Sequence, residues 1–208
     1  MKGLILKDFY QILKSYKILF LYFAVFFTLS FFTDNGTFFL VFPCIILGMM
    51  PVTLFSTDEK DGWCRYSATL PVSRAQYINA KYLVGMILAA ASTLLCIAAT
   101  VITGLIEGQL EAGSILLPVG IAMAASLLGT GIAMPFSVKL GADKGRIALF
   151  IAMGVFSGGM ALLSGALWEK ISGLLTPNVW MVALAVLFAA LYALSWFLSV
   201  RFYQKKEL

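Results

Sequence analysis

Cys44, Cys64 and Cys96 are the side chains whose chemistry would be easiest to use, and their spacing supports none. Two lie in apolar stretches and the third in a charged insert, with no CxxC pair anywhere. Neither a zinc site nor a dithiol redox motif is predicted. Histidine is absent, which removes Ser–His and Cys–His nucleophilic mechanisms, including the dyad of a rhomboid-like intramembrane protease. No GxxxxGKS or GxxxxGKT occurs, so ATP cannot be held here by a P-loop. The chain is predicted to have no catalytic residues, no bound metal or cofactor of its own, and no nucleic-acid partner.

What remains is one concentrated polar segment. Asp58-Glu59-Lys60-Asp61-Gly62-Trp63 is followed by Leu70-Pro71-Val72-Ser73-Arg74 and Lys81, between two long uncharged stretches. Trp63, Tyr66 and Leu70 fall at i, i+3 and i+7, which predicts a short helix over 63–70 with one aromatic stripe. Pro71 stops that helix because the residue before proline avoids helical dihedrals. Ser73 and Gln76 have the spacing of a capping box that starts the next helix. Two readings of the stripe stay open on the residues alone: a docking element for a partner, or an interfacial belt with Trp63 and Tyr66 at headgroup level.

The elements that must position this insert are membrane spans. Of the 208 residues, 61% are hydrophobic and 12% charged, a composition whose solvent is the bilayer. The predicted class is an all-α membrane protein in one transmembrane domain, 1–208. Six spans are expected at Ile18–Thr33, Thr37–Ser56, Tyr82–Ile106, Ser114–Val138, Ile147–Leu167 and Val179–Val200, each near the ~20 residues a crossing needs. The first is short and is expected to borrow residues from the helix before it. Residues 57–80 form the longest polar connection. The amino terminus carries Lys2, Lys7, Asp8, Lys14 and Lys17 and no small-residue cleavage site, so no cleavable signal is expected.

Fourteen of the 15 basic residues fall on one set of connections: the amino terminus, the second-to-third connection through Lys81, the fourth-to-fifth connection and the tail. The other set holds only Lys170, beside Asp34, Glu107, Glu111 and Glu169. Positive-inside bias therefore places both termini in the cytoplasm. No span contains Asp, Glu, Lys or Arg. Ionisable groups at membrane depth mark ion pathways, so a proton- or sodium-coupled carrier is disfavoured, although unwound backbone can bind sodium without them. A pure membrane scaffold stays open.

Within residues 1–17, Ile5, Phe9, Ile12 and Tyr16 recur on one side, with Lys7, Gln11 and Lys14 on another. This predicts an interfacial amphipathic helix with its basic face toward anionic headgroups. A topological anchor is the plainer reading, and a lever touched by a moving partner the other. Gly154, Gly158 and Gly165, with Ala161, line the fifth span, and Gly120, Ala124, Ala125 and Gly129 the fourth. Such stripes predict close helix packing. Pro43 and Pro51 are expected to kink the second span.

The order of the acidic cluster, Gly62, Leu70-Pro71-Val72-Ser73-Arg74 and Lys81-Tyr82-Leu83 resembles the cytoplasmic signature of type-2 ABC transporter permeases. The resemblance extends over the whole chain: amphipathic amino-terminal helix, six spans, both termini inside. It implies that residues Trp63 to Leu70 form a coupling helix docked in a cleft of a separate ATPase. Trp63, Arg65, Tyr66, Leu70, Pro71 and Arg74 would then be docking residues, with Asp58, Glu59 and Asp61 beside them. ATP and Mg would be held by that partner. Two ATPase subunits and a second permease, identical or homologous, are implied. The connection from Trp168 to Asn178 is shorter than the re-entrant region of larger members, so a smaller outer gate is expected. Small permeases of this kind resemble exporters of phenol-soluble modulins and antimicrobial peptides in the plasma membrane of Gram-positive bacteria. Apolar spans with only neutral polar groups, such as Ser92, Thr93, Thr100, Ser126, Thr130 and Ser157, suit an amphipathic peptide, or else a hydrophobic drug or lipid.

Overall fold

The computed structural model describes residues 2–15, 17–33, 36–67, 69–107, 112–141 and 177–205, together with 144, 147 and 151. These residues form helices and no strands. The helices are α1 (Lys2–Ser15), α2 (Lys17–Phe32), α3 (Gly36–Gly48), α4 (Met50–Lys60), α5 (Trp63–Ser67), α6 (Arg74–Glu107), α7 (Ala112–Leu140) and α8 (Pro177–Gln204). Three stretches are long and apolar enough to cross a membrane: Phe39–Lys60, Arg74–Ile106 and Val119–Leu140. The predicted fifth span, with Gly154, Gly158 and Gly165, lies outside the described residues apart from Ile147 and Ile151, which are helical and exposed.

α1 and α2 flank Tyr16, which lies outside the described residues, as does the join at which the first apolar stretch was expected to borrow from the helix before it. At 16 residues, α2 is about 24 Å long. α6 is the opposite case. Its 34 residues make a rod of about 51 Å, well beyond a ~30 Å hydrocarbon core. The rod begins where the sequence places a capping box. Ser73 Oγ accepts from the Gln76 amide at 3.2 Å, and Gln76 Oε1 accepts from the Ser73 amide at 3.1 Å, so two otherwise orphaned donors are satisfied reciprocally.

The second apolar stretch is disturbed at one residue, Met49, whose dihedrals stay helical (φ −85, ψ −9) and whose amide still bonds to the Ile45 and Ile46 carbonyls. Pro43 lies inside α3 without ending it. Pro51 sits in the first turn of α4, just past Met49, where proline lacks a donor and crowds the preceding turn. Beside this join, the Thr130 hydroxyl of α7 donates to the Gly48 carbonyl at 2.6 Å. Glycines let the helices meet backbone to backbone there. A Cβ on Gly129 would lie 3.0 Å from the Gly48 carbonyl carbon, and one on Gly85 of α6 would lie 3.1 Å from Pro51 Cγ. Gly120, in the same predicted stripe as Gly129, would meet nothing within 4 Å. The inward face of α7 is instead Ala122, Ser126, Gly129, Thr130, Ala133 and Ser137, all buried.

Polar groups in the apolar helices are satisfied close to home. Ser92 and Thr93 both donate to the Ala89 carbonyl, Thr100 to that of Cys96, and Ser126 to that of Met123. Tyr82 of α6 is shared by two hydroxyls of α8, Ser195 Oγ at 2.7 Å and Ser199 Oγ at 2.8 Å. Ser195 in turn donates to the Gly131 carbonyl of α7. At membrane depth an unpaired polar atom is costly, so these contacts tie α6, α7 and α8 together without any charge.

Candidate functional site

The charged insert does not begin as a loop. α4 continues through Lys60, so Asp58 and Glu59 occupy its last turn. Asp61 follows as its C-cap residue, and Gly62 turns the chain at φ +71, a left-handed geometry that glycine adopts without a Cβ penalty. The Gly62 carbonyl then accepts from the amides of Arg65 and Tyr66, starting α5. That helix closes at Ser67, earlier than the expected 63–70. Turns through Leu70 and Val72 lead into Pro71 and the capping box.

Of the predicted acidic cluster, only Asp61 is exposed. Glu59 is half-buried, and Asp58 is 2% exposed. Asp58 belongs to a buried ionic cluster that spans three helices. Lys81 of α6, 1% exposed, places Nζ 2.7 Å from Asp8 Oδ1 of α1 and 2.7 Å from Asp58 Oδ2 of α4. The Tyr77 hydroxyl donates to Asp58 Oδ2 at 2.7 Å. Lys7 pairs with Asp58 Oδ1 and lies 3.4 Å from Asp8 Oδ1. Two carboxylates thus face two ammonium groups, and the site is formally balanced.

This corrects the picture of α1. Lys7 does not face headgroups but turns inward to Asp58, and Gln11 Oε1 is buried without a hydrogen-bond partner among the described residues. The inward face is Leu4, Asp8 and Ile12, all buried, flanked by Ile5 and Phe9. A second apolar stripe, Leu6, Tyr10 and Leu13, is exposed on the other side. Lys14 is exposed as expected.

The cluster abuts α5. Lys7 Nζ lies 4.6 Å from the centroid of the Trp63 ring, a cation–π contact. Trp63 is half-buried and packs against the core cluster that contains Leu4, Val52 and Phe55, while its Nε1 is buried with no partner among the described residues. The Trp63 and Tyr66 rings lie 5.3 Å apart. Tyr66 itself is 56% exposed, and Arg65, Thr69, Pro71 and Arg74 are exposed around it, with Leu70 half-buried. Arg74 also donates from Nη1 to the Gln204 carbonyl at 2.9 Å, a cation on the last carbonyls of α8 that suits the helix dipole.

Beneath α5 the Tyr77 and Tyr203 rings stack at 5.3 Å, with Phe55 edge-on to Tyr203 at 6.2 Å. The Tyr77 hydroxyl is directed at the Asp58 carboxylate. Cys64 Sγ is 3.8 Å from that hydroxyl, and burial pushes its thiol up.

Sequence reasoning missed Asp8 as a site residue. The signal was present: it is the sole acid among the amino-terminal lysines, spaced four residues from both Leu4 and Ile12. A carboxylate on an apolar helix face requires a partner.

No curated protein and no solved structure matches the chain. A family model described as ABC-2 family transporter protein matches residues 3–204, nearly the whole chain and including α1, the insert and the helices that hold them. Apolar helices around one polar insert agree with that match, and the protein belongs to the ABC-2 family of transporter proteins.

Proposed function

We propose that this membrane permease component moves amphipathic peptides out of a bacterial cell, driven by a separate ATPase that docks on α5. In this reading the chain has six spans at the positions expected from sequence, with both termini in the cytoplasm. Two permease chains and two ATPases assemble, and ATP and Mg reside on the ATPases. The observation that carries the reading is Tyr66. It is an aromatic residue 56% exposed on a short helix that is itself braced from behind by Trp63, Lys7 and the buried cluster. Aromatic and arginine side chains commonly anchor interfaces, and Arg65 stands exposed beside Tyr66.

The cargo assignment is supported by the inward-turned hydroxyls. Ser92, Thr93, Thr100, Ser126 and Thr130 are already bonded to backbone carbonyls, which leaves few free hydroxyl donors among the described residues for a sugar or an ion.

Tyr66→Ala is the cleaner test, because Trp63 also packs internally. Removing a central anchor costs about 2 kcal/mol, or roughly thirtyfold in affinity. The tagged permease should lose its co-purifying ATPase, or retain it with hydrolysis no longer stimulated by an amphipathic peptide. Lys170→Ala, on the opposite connection, should do neither. Normal association and normal stimulation in Tyr66→Ala would show that α5 is an interfacial belt.

A further inference from the structure

We infer that Asp8, Asp58 and Lys81 are positioning residues that lock α1, the insert and the start of α6 into one rigid body, so that displacement of α5 is delivered to the α6 rod. The inference rests on the reading of α5 as the docking element.

Three observations lead to it. First, the three side chains come from three different helices, all are 2% exposed or less, and each contacts the next at 2.7 Å. Apolar side chains can fill such a place without desolvating ions, so burial of a balanced ion cluster is weak support for stability as such. What directional ionic contacts add is registry, since a slide of one helix past another breaks them. Second, the cluster touches the docking element itself. Lys7, paired with Asp58, lies against the Trp63 ring, and Tyr77 connects Asp58 to Cys64 of α5.

Third, the cluster's Lys81 stands on a continuous helix: α6 runs without interruption from Arg74 past Lys81 to Glu107. A push on α5 that reaches Lys81 through Asp58 is therefore carried along α6.

The test uses the assembled permease–ATPase complex, spin-labelled at Tyr10→Cys on α1 and Asp61→Cys beside α5. Both positions are exposed, whereas the native cysteines are buried. Across the cluster, the distance between the labels should be the same with and without ATP, within the ~2 Å of ordinary helix shifts. In Asp8→Asn combined with Lys81→Met, one charge of each sign is removed and Asp58 keeps Lys7 and Tyr77. The distance distribution should then broaden or become dependent on ATP while the ATPase still co-purifies.

A wild-type distance that changes with ATP overturns the inference, and so does a double variant whose distribution matches wild type. If the double variant does not assemble, the wild-type measurement decides alone. Failure of the docking reading is distinguishable, because it would appear as undiminished ATPase association in Tyr66→Ala whatever the labels report.

Discussion

Gly48→Ala should loosen the molecule at a close helix crossing. A Cβ at position 48 would lie 2.7 Å from Ser126 Cα and 2.8 Å from Ser126 C, with the Ser126 carbonyl oxygen also in its way. Carbon atoms rest at about 3.5–4.0 Å, so α3 and α7 must part by about 1 Å. The obstacle is backbone and cannot rotate aside. Overpacking of this kind costs about 1–3 kcal/mol. Alanine recovers up to about 1 kcal/mol of helix propensity, and the parting also stretches the Thr130–Gly48 hydrogen bond, worth about 1 kcal/mol. A net loss of about 1–3 kcal/mol corresponds to a fall of several degrees in Tm for a chain of this size. Thermal unfolding of the detergent-solubilised protein, followed by size-exclusion fluorescence, reads it directly. Gly120→Ala is the matched control: its Cβ meets nothing, so the propensity gain stands alone and Tm should hold or rise. Equal melting of the two variants would refute the close-crossing argument.

Cys64 should resist alkylation at neutral pH in the folded protein, because burial raises its thiol pKa and so depletes the thiolate. Reaction with iodoacetamide should accelerate as pH rises and become fast at pH 7 only on unfolding. The topology is better probed at the exposed Asp61: Asp61→Cys should react with an impermeant thiol reagent only after permeabilisation, and Lys170→Cys in intact cells. Arg74→Ala removes the donor to the Gln204 carbonyl, which should speed hydrogen exchange in the last turn of α8 with less than about 1 kcal/mol lost overall. Ser73→Ala should fray the first turn of α6 by about 1 kcal/mol, seen as faster exchange of the Gln76 amide.

Local rules carried the sequence reading where the governing contacts are near in the chain. The capping box needed only Ser73 and Gln76, three residues apart, and it formed. The apolar stretches needed only their own composition, and three of them stand as long apolar helices. Pro51 marked a disturbance, but the close crossing beside it involves Gly48, Gly129 and Thr130, two of which lie on α7. The insert was misjudged in extent for a similar reason. Asp58 and Glu59 look like a solvated loop in sequence, yet α4 runs on to Lys60 because Asp58 has buried partners at positions 7, 77 and 81. A stripe such as Trp63, Tyr66 and Leu70 gives periodicity but not which member is covered. That was settled by Lys7, which lies over Trp63 and leaves Tyr66 open.

The pairing of Tyr82 with Ser195 and Ser199 has a mechanical side. The two serines stand one helical turn apart, and the phenol oxygen touches both. A small axial slide of α8 along α6 therefore trades a shared bond for a single one instead of stranding a hydroxyl in hydrocarbon. Charged pairs at the same depth would resist such a slide steeply, and a purely apolar seam would not index it at all. The hydroxyl ladder sits between these extremes, as a soft detent: it gives α8 preferred stops a fraction of a turn apart with a low ridge between them. The ionic cluster holds Lys81, the residue just before Tyr82 on α6, so a stiff joint and a yielding one stand side by side on the same helix.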